Sequence, residues 1–108
     1  MLVCTDETTE LVASGDPYLS FYMPFSMSVS GCYSSLNSQA IGGGGLIWHI
    51  EEDSVTRVTE TITAGTSYAD DSTSWTPSKN DRIDVYIDAV GSTFGGAGLK
   101  ITLLGIKT

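Results

Sequence analysis

"DRIDVYIDAVGSTFGGAGLKITLLGIKT", residues 81–108, closes the chain and carries its clearest pattern. Ile83, Val85, Ile87 and Ala89 alternate with Asp84, Tyr86, Asp88 and Val90, a period of two that puts aliphatic side chains on one face of a strand and carboxylates on the other. Leu99, Ile101 and Leu103 alternate in the same way with Lys100, Thr102 and Leu104. Residues 91–98 join the two segments, so the stretch reads as an antiparallel hairpin with one solvated face. Its loop exceeds a two-residue turn, which places Phe94 at an exposed tip or against a docking partner. Asp81, Asp84 and Asp88 fall on the solvated face. Residues four apart on a strand are separated by roughly 13 Å, too far to share one calcium ion.

Moving outward from this stretch, the same period recurs. "YLSFYM" at 18–23 is rich in strand formers and is stopped by Pro24. Phe25, Met27, Val29 and Gly31 then alternate with serines, with Gly31 marking a bulge or a close backbone approach. This gives two strands, or one kinked at Pro24. Residues 42–45 are four consecutive glycines, read as a flexible connection. Leu46 and Ile47 follow them where a phosphate-binding loop needs Lys and then Ser or Thr, so that motif is rejected. "LIWHIEE" at 46–52 and the Thr-rich segment after it form a second predicted hairpin, turning at Glu52-Asp53-Ser54. From 54 to 80, twelve of 27 residues are Ser or Thr, a hydroxyl-rich β surface with Trp75 as its apolar anchor.

Six to eight short strands without helical periodicity, in a chain of 108 residues, imply an all-β domain. We expect a small antiparallel sandwich of jelly-roll type over 16–108, burying roughly two-thirds of its extended surface. Residues 1–15 lack strong alternation and are expected to be an extended arm able to pair with a neighbour's sheet edge. Aromatic residues cluster at Tyr18, Phe21, Tyr22, Phe25 and Tyr33; filling a core or a subunit interface is favoured over a sugar-stacking platform.

Charge and composition exclude several functions. Residues 1–56 hold seven acids and no Lys or Arg, and the remainder holds six acids and five basic residues, so the two parts carry −7 and −1 of the net −8. Nucleic acid is a poor partner for such a chain, because neutralising phosphate takes clustered Lys and Arg. The N-terminus lacks the basic start and apolar run of a signal peptide, and no segment approaches the ~20 apolar residues that span a bilayer. Synthesis in a cytoplasm and no membrane partner are therefore expected. Cys4 and Cys32 read as free thiols, although one disulfide remains open, and two cysteines with one histidine fall short of a structural zinc site. His49, between Trp48 and Ile50, reads as structural, and no Gly-x-Ser-x-Gly elbow supports a Ser-His-Asp reading. Asp70 and Asp71 read as a loop pair that helps, at most, to hold a cation. Neither a cofactor nor a catalytic set emerges, and the chain is not expected to be an enzyme.

The phrases "TDETTELVASG" (5–15), "FYMPFSMSVSGCYSSL" (21–36) and "DRIDVYIDAVGSTFGGAGLKITLLGIK" (81–107), in that order, resemble a β-sandwich module of tailed-bacteriophage virion proteins. That module occurs at tail-fibre C-termini and as head decoration (cement) proteins. The resemblance departs from the module at Glu52-Asp53-Ser54, where an Asn-Gly type of turn is usual, and at the long glycine run 42–45. It implies a virion structural role, a homotrimer and no catalytic residues. With Met1 beginning directly on the module, the expectation is a decoration protein on the capsid exterior, bound to the major capsid protein; the alternative is a fibre tip touching host glycans. Thr5, Asp6, Glu7, Thr8, Thr9 and Glu10 are then the capsid- or neighbour-binding arm, and Tyr18, Tyr22, Phe25 and Phe94 the aromatics facing an interface or ligand.

Overall fold

The computed structural model describes residues 2–4 and 7–108. Eight strands are found among these residues: β1 (Leu2–Cys4), β2 (Leu19–Tyr22), β3 (Met27–Ser35), β4 (Leu46–Glu52), β5 (Val55–Ile62), β6 (Tyr68–Asp71), β7 (Arg82–Ala89) and β8 (Lys100–Lys107). They form two four-stranded antiparallel sheets, ordered β1-β8-β3-β6 and β2-β7-β4-β5. Strands pair first with last and inward from there: β1 with β8, β2 with β7, β3 with β6 and β4 with β5. That nesting is one long hairpin folded over on itself, with the β4–β5 turn at its tip, the jelly-roll sandwich expected from the sequence.

The tip forms as expected at Glu52-Asp53-Ser54. Glu52 pairs with Val55 across it, and Asp53 and Ser54 both adopt left-handed backbone, at φ 47° and 70°. Two such residues give a turn whose twist matches that of the strands it joins. The Asp53 N–H donates to the Arg82 carbonyl at 2.9 Å and its carboxylate accepts from the Arg82 N–H at 3.0 Å, which ties the turn to β7. Pro24 lies between β2 and β3, which belong to different sheets, so two strands rather than one kinked strand are present.

Residues 81–108 do not form the hairpin that their alternation predicts. β7 and β8 lie in opposite sheets, and their aliphatic faces meet across the core. The connection between them is laid across the end of the sandwich: Ile41 N–H donates to the Phe94 carbonyl at 2.8 Å, and Asn37 N–H to the Ala97 carbonyl at 2.9 Å. Phe94 is accordingly half-buried rather than at an exposed tip. The core takes Trp48 and Ile50 from β4, Ile83, Val85 and Ile87 from β7, and Ile101 and Leu103 from β8, with Trp75 as the expected anchor. Asp84 departs from the solvated face. It is buried, accepting from Ser20 Oγ at 2.5 Å and from Arg82 Nε at 3.1 Å, because β2 covers this part of β7.

The expected arm over 1–15 is built into the sandwich where it is described. Leu2–Cys4 is an edge strand of its own sheet, Leu11 is buried, and the Glu10 carboxylate accepts from the Gly95 N–H at 2.7 Å. The glycine run ends in a fixed turn rather than a flexible connection: Gly45 has φ 94°, and a Cβ there would stand 2.2 Å from the Ile62 carbonyl oxygen.

Candidate functional site

The outer face of the β1-β8-β3-β6 sheet carries a cleft of about 270 Å³. Register explains how it arises. Gly31 pairs with Leu104 on β8, after a shift between Val29 and Gly31 that makes the bulge the sequence predicts. On the other side a Cβ at Gly31 would lie 2.5 Å from the Asp71 carbonyl oxygen, so only glycine fits. The close approach of β3 and β6 and the bulge interrupt the regular sheet surface, and the cleft lies at this interruption. Gly31 and Cys32 lie at the interruption, and Ser30, Asp70, Asp71, Ser72 and Leu104 line the rest.

Two residues further along β3, Tyr33 pairs with Asp70 on β6 and with Thr102 on β8. Its ring stacks on Tyr68, with centroids 5.8 Å apart and planes 14° from parallel. Both rings remain exposed, at 41% for Tyr33 and 61% for Tyr68. Tyr68 lies opposite Ser35 and so covers Tyr33 from that side. Tyr33 borders the cleft, following Cys32 on β3 and lying opposite Asp70 on β6, both of which line it. Leu104 and Ile106, at 47% and 74% exposed, extend the apolar row along β8.

The carboxylates here are not equivalent. Asp71 points to the sandwich edge, where Thr73 N–H donates to it at 2.7 Å and Glu60 of β5 interacts with it. Burial would raise Asp71, but the donors from Thr73 and Glu60 outweigh it and hold the group below the usual range. Glu60 is held above that range by burial and then by Asp71 and Asp70, against the donating Thr61 N–H. The Cys32 thiol beneath is a free, buried sulfur pushed up to about 12 by burial and then by Asp71 and Glu60, which disfavours the thiolate. Asp70 is exposed, with no hydrogen bond or ion pair to its carboxylate among the described residues. Asp70 and Asp71 therefore belong to strand β6, not to a loop, and only Asp70 is open to a ligand.

The opposite face, on β4 and β7, holds a closed polar array. His49 Nδ1 lies 2.6 Å from Asp88 Oδ2 and Nε2 lies 2.8 Å from Glu51 Oε2, while the ring stacks on Tyr86 at 4.5 Å. Burial would lower the imidazole, but the two carboxylates outweigh it and raise it. Every polar atom of His49 is used within the chain, which makes it a structural clamp.

The residues singled out by sequence do not converge. Thr5 and Asp6 lie outside the described residues. Glu7 is ion-paired with Lys100, Thr8 and Thr9 are exposed, and Glu10 is bonded to Gly95. Tyr18 and Tyr22 sit exposed at the β2 edge, at 42% and 66%, in the other sheet. Phe25 is half-buried with the Lys107 ammonium 5.3 Å above its ring. Phe94 packs at the sandwich end. Tyr68 and Ser72 carry no local signal of the site, and Tyr33 stands apart from the aromatics its sequence position groups it with; Gly31 and the Asp70-Asp71 pair are the signals the sequence offers.

No protein-family model matches the chain, and no curated protein matches it significantly. Among solved structures it is similar to a Podospora anserina GH26-CBM35 β-(1,4)-mannanase, at 10% identity and a TM-score of 0.46, over 100% of this chain and 26% of that one.

Proposed function

We propose that the chain is a non-catalytic adhesion module of a bacteriophage particle that contacts host-surface glycans, as a fibre or receptor-binding tip does. The observation that carries this reading is the exposed Tyr33 and Tyr68 stack beside the cleft at Gly31. Flat aromatic rings next to serine hydroxyls and a carboxylate offer a sugar both the apolar contact and the hydrogen bonds it needs. The virion setting comes from the three phrases quoted above. The homotrimer they imply would suit weak sugar contacts, since linking sites raises avidity by ~10²–10⁴. A glycan array and a cell-adsorption assay on the purified protein test the reading. Retention of wild-type protein on host cells, lost in a Tyr33→Ala/Tyr68→Ala variant, is expected; equal retention of both would overturn it.

A second reading, a head decoration protein bound to the major capsid protein, is favoured by Leu104 and Ile106, aliphatic side chains suited to a protein interface. The acidic first half of the chain would complement a basic capsid patch. Copy number separates the two readings: hundreds per particle indicates the head, a handful the tail.

A further inference from the structure

We infer that the cleft at Gly31 takes a single uncharged sugar ring, with an apolar face of the ring against Tyr33 or Leu104 and its hydroxyls on Asp70, Ser72 and Ser30. This rests on the glycan-contact reading and narrows it to one site and one class of sugar. Size comes first. At about 270 Å³ the cleft falls just below the ~300–1,000 Å³ of sites for drug-sized ligands, so it holds one ring and the next ring of a chain lies in solvent.

Charge decides the class. The lining contains the open Asp70 carboxylate and no Lys, Arg or His, and the Asp71 and Glu60 carboxylates lie together at the sandwich edge nearby. An acidic sugar or a phosphorylated headgroup would meet like charge without a compensating donor. A neutral polyol meets none, and the free Asp70 carboxylate accepts from its hydroxyls as a charge-assisted bond, roughly twice as strong as a neutral one. An ammonium ligand would also suit the charge, but the aromatic geometry argues against it. Tyr33 and Tyr68 lie flat on each other at the border of the cleft, and its lining contains no aromatic ring, so the walls of a cage are missing. Leu104 adds an aliphatic contact, the Ser72 hydroxyl acts as either donor or acceptor, and the Ser30 hydroxyl, which donates to the Leu104 carbonyl at 3.3 Å, keeps its lone pairs to accept from a polyol.

The test is an amide-resonance NMR titration of the full chain. The probes are methyl α-glucoside, methyl β-galactoside and N-acetylglucosamine as neutral rings, glucuronate and N-acetylneuraminate as acidic ones, and tetramethylammonium as the cation. Expected is saturable movement of the Gly31, Cys32, Ser72 and Leu104 amides with at least one neutral probe and none with the acidic probes. Tyr33→Phe should bind as wild type does, because the ring face and not the hydroxyl makes the contact, while Tyr33→Ala should bind about tenfold more weakly. Asp70→Asn should weaken neutral binding several-fold without admitting the acidic probes. Movement of these amides by the acidic probes or by tetramethylammonium, with the neutral ones silent, would overturn the inference and leave adhesion through this face standing. Neutral probes moving amides on β2 or β7 instead would relocate the site. If no probe moves any amide, the inference falls; the broader reading falls with it only if the Tyr33→Ala/Tyr68→Ala variant also adsorbs to cells as wild type does.

Discussion

Gly31 and Ser54 show how single residues set this fold, one by lacking a side chain and one by tolerating a conformation that disfavours it. At Gly31 the β3 backbone comes so close to Asp71 that any Cβ would collide, and the cleft lies beside this close approach. Ser54 holds φ 70° in a two-residue turn where Asn-Gly or Asp-Gly is the favoured pair. Left-handed backbone costs an ordinary L-residue roughly 1–2 kcal/mol. Ser54→Gly, which leaves the Asp53 bonds to Arg82 in place, should therefore raise stability by about 1 kcal/mol. A urea melt should show a higher midpoint with an unchanged slope; a lower midpoint would mean that the Ser54 side chain has a role the turn does not reveal. Both residues were readable in the sequence, because glycine inside an alternating strand and a short polar break between two strands are local signals.

At the scale of elements, β4 and β7 are joined by more than their ladder. His49 on β4 is held between Glu51 of its own strand and Asp88 of β7, with Tyr86 stacked beneath, and the carboxylates favour the charged ring. Because the folded group titrates above its ordinary value of 6.5, it contributes stability that is fully present below that pH and lost as pH rises through the raised value. Wild-type protein should thus lose stability between about pH 6 and about pH 9, and a His49→Gln variant should show a smaller loss over that interval. Urea midpoints at the two pH values measure this; parallel losses in both proteins would show that the clamp is not the group responsible. The strand assignment of His49 was legible from "LIWHIEE", but its partners were not. Asp88 lies 39 residues away, and cross-strand neighbours depend on register, which period-two alternation leaves open.

For the whole molecule the governing feature is nested pairing, with β1 beside β8 and β2 beside β7. Outside the local β4–β5 hairpin the strand pairings join residues far apart in sequence, so loop-closure entropy is lost before pairing compensates for it. Refolding should fall in the millisecond-to-second range of sandwich domains, and a stopped-flow phase much faster than about a millisecond would contradict the topology. The proposed adhesion face belongs to this scale too. Its parts come from residues 30–33, 68–72 and 104, three segments that meet only because β3 lies between β8 and β6. The alternation of apolar and polar residues, the β4–β5 turn, the glycine bulge and the acidic charge were determined by the sequence alone, since each depends on neighbours within a few positions. Tertiary structure alone decided that β7 and β8 face each other across the core instead of pairing, that Asp84 is buried, and that Tyr33 stands beside Tyr68 and Asp70. The physical reason is that a strand's periodicity specifies which side chains share its face, whereas its partner is chosen by how the entire chain closes around one core.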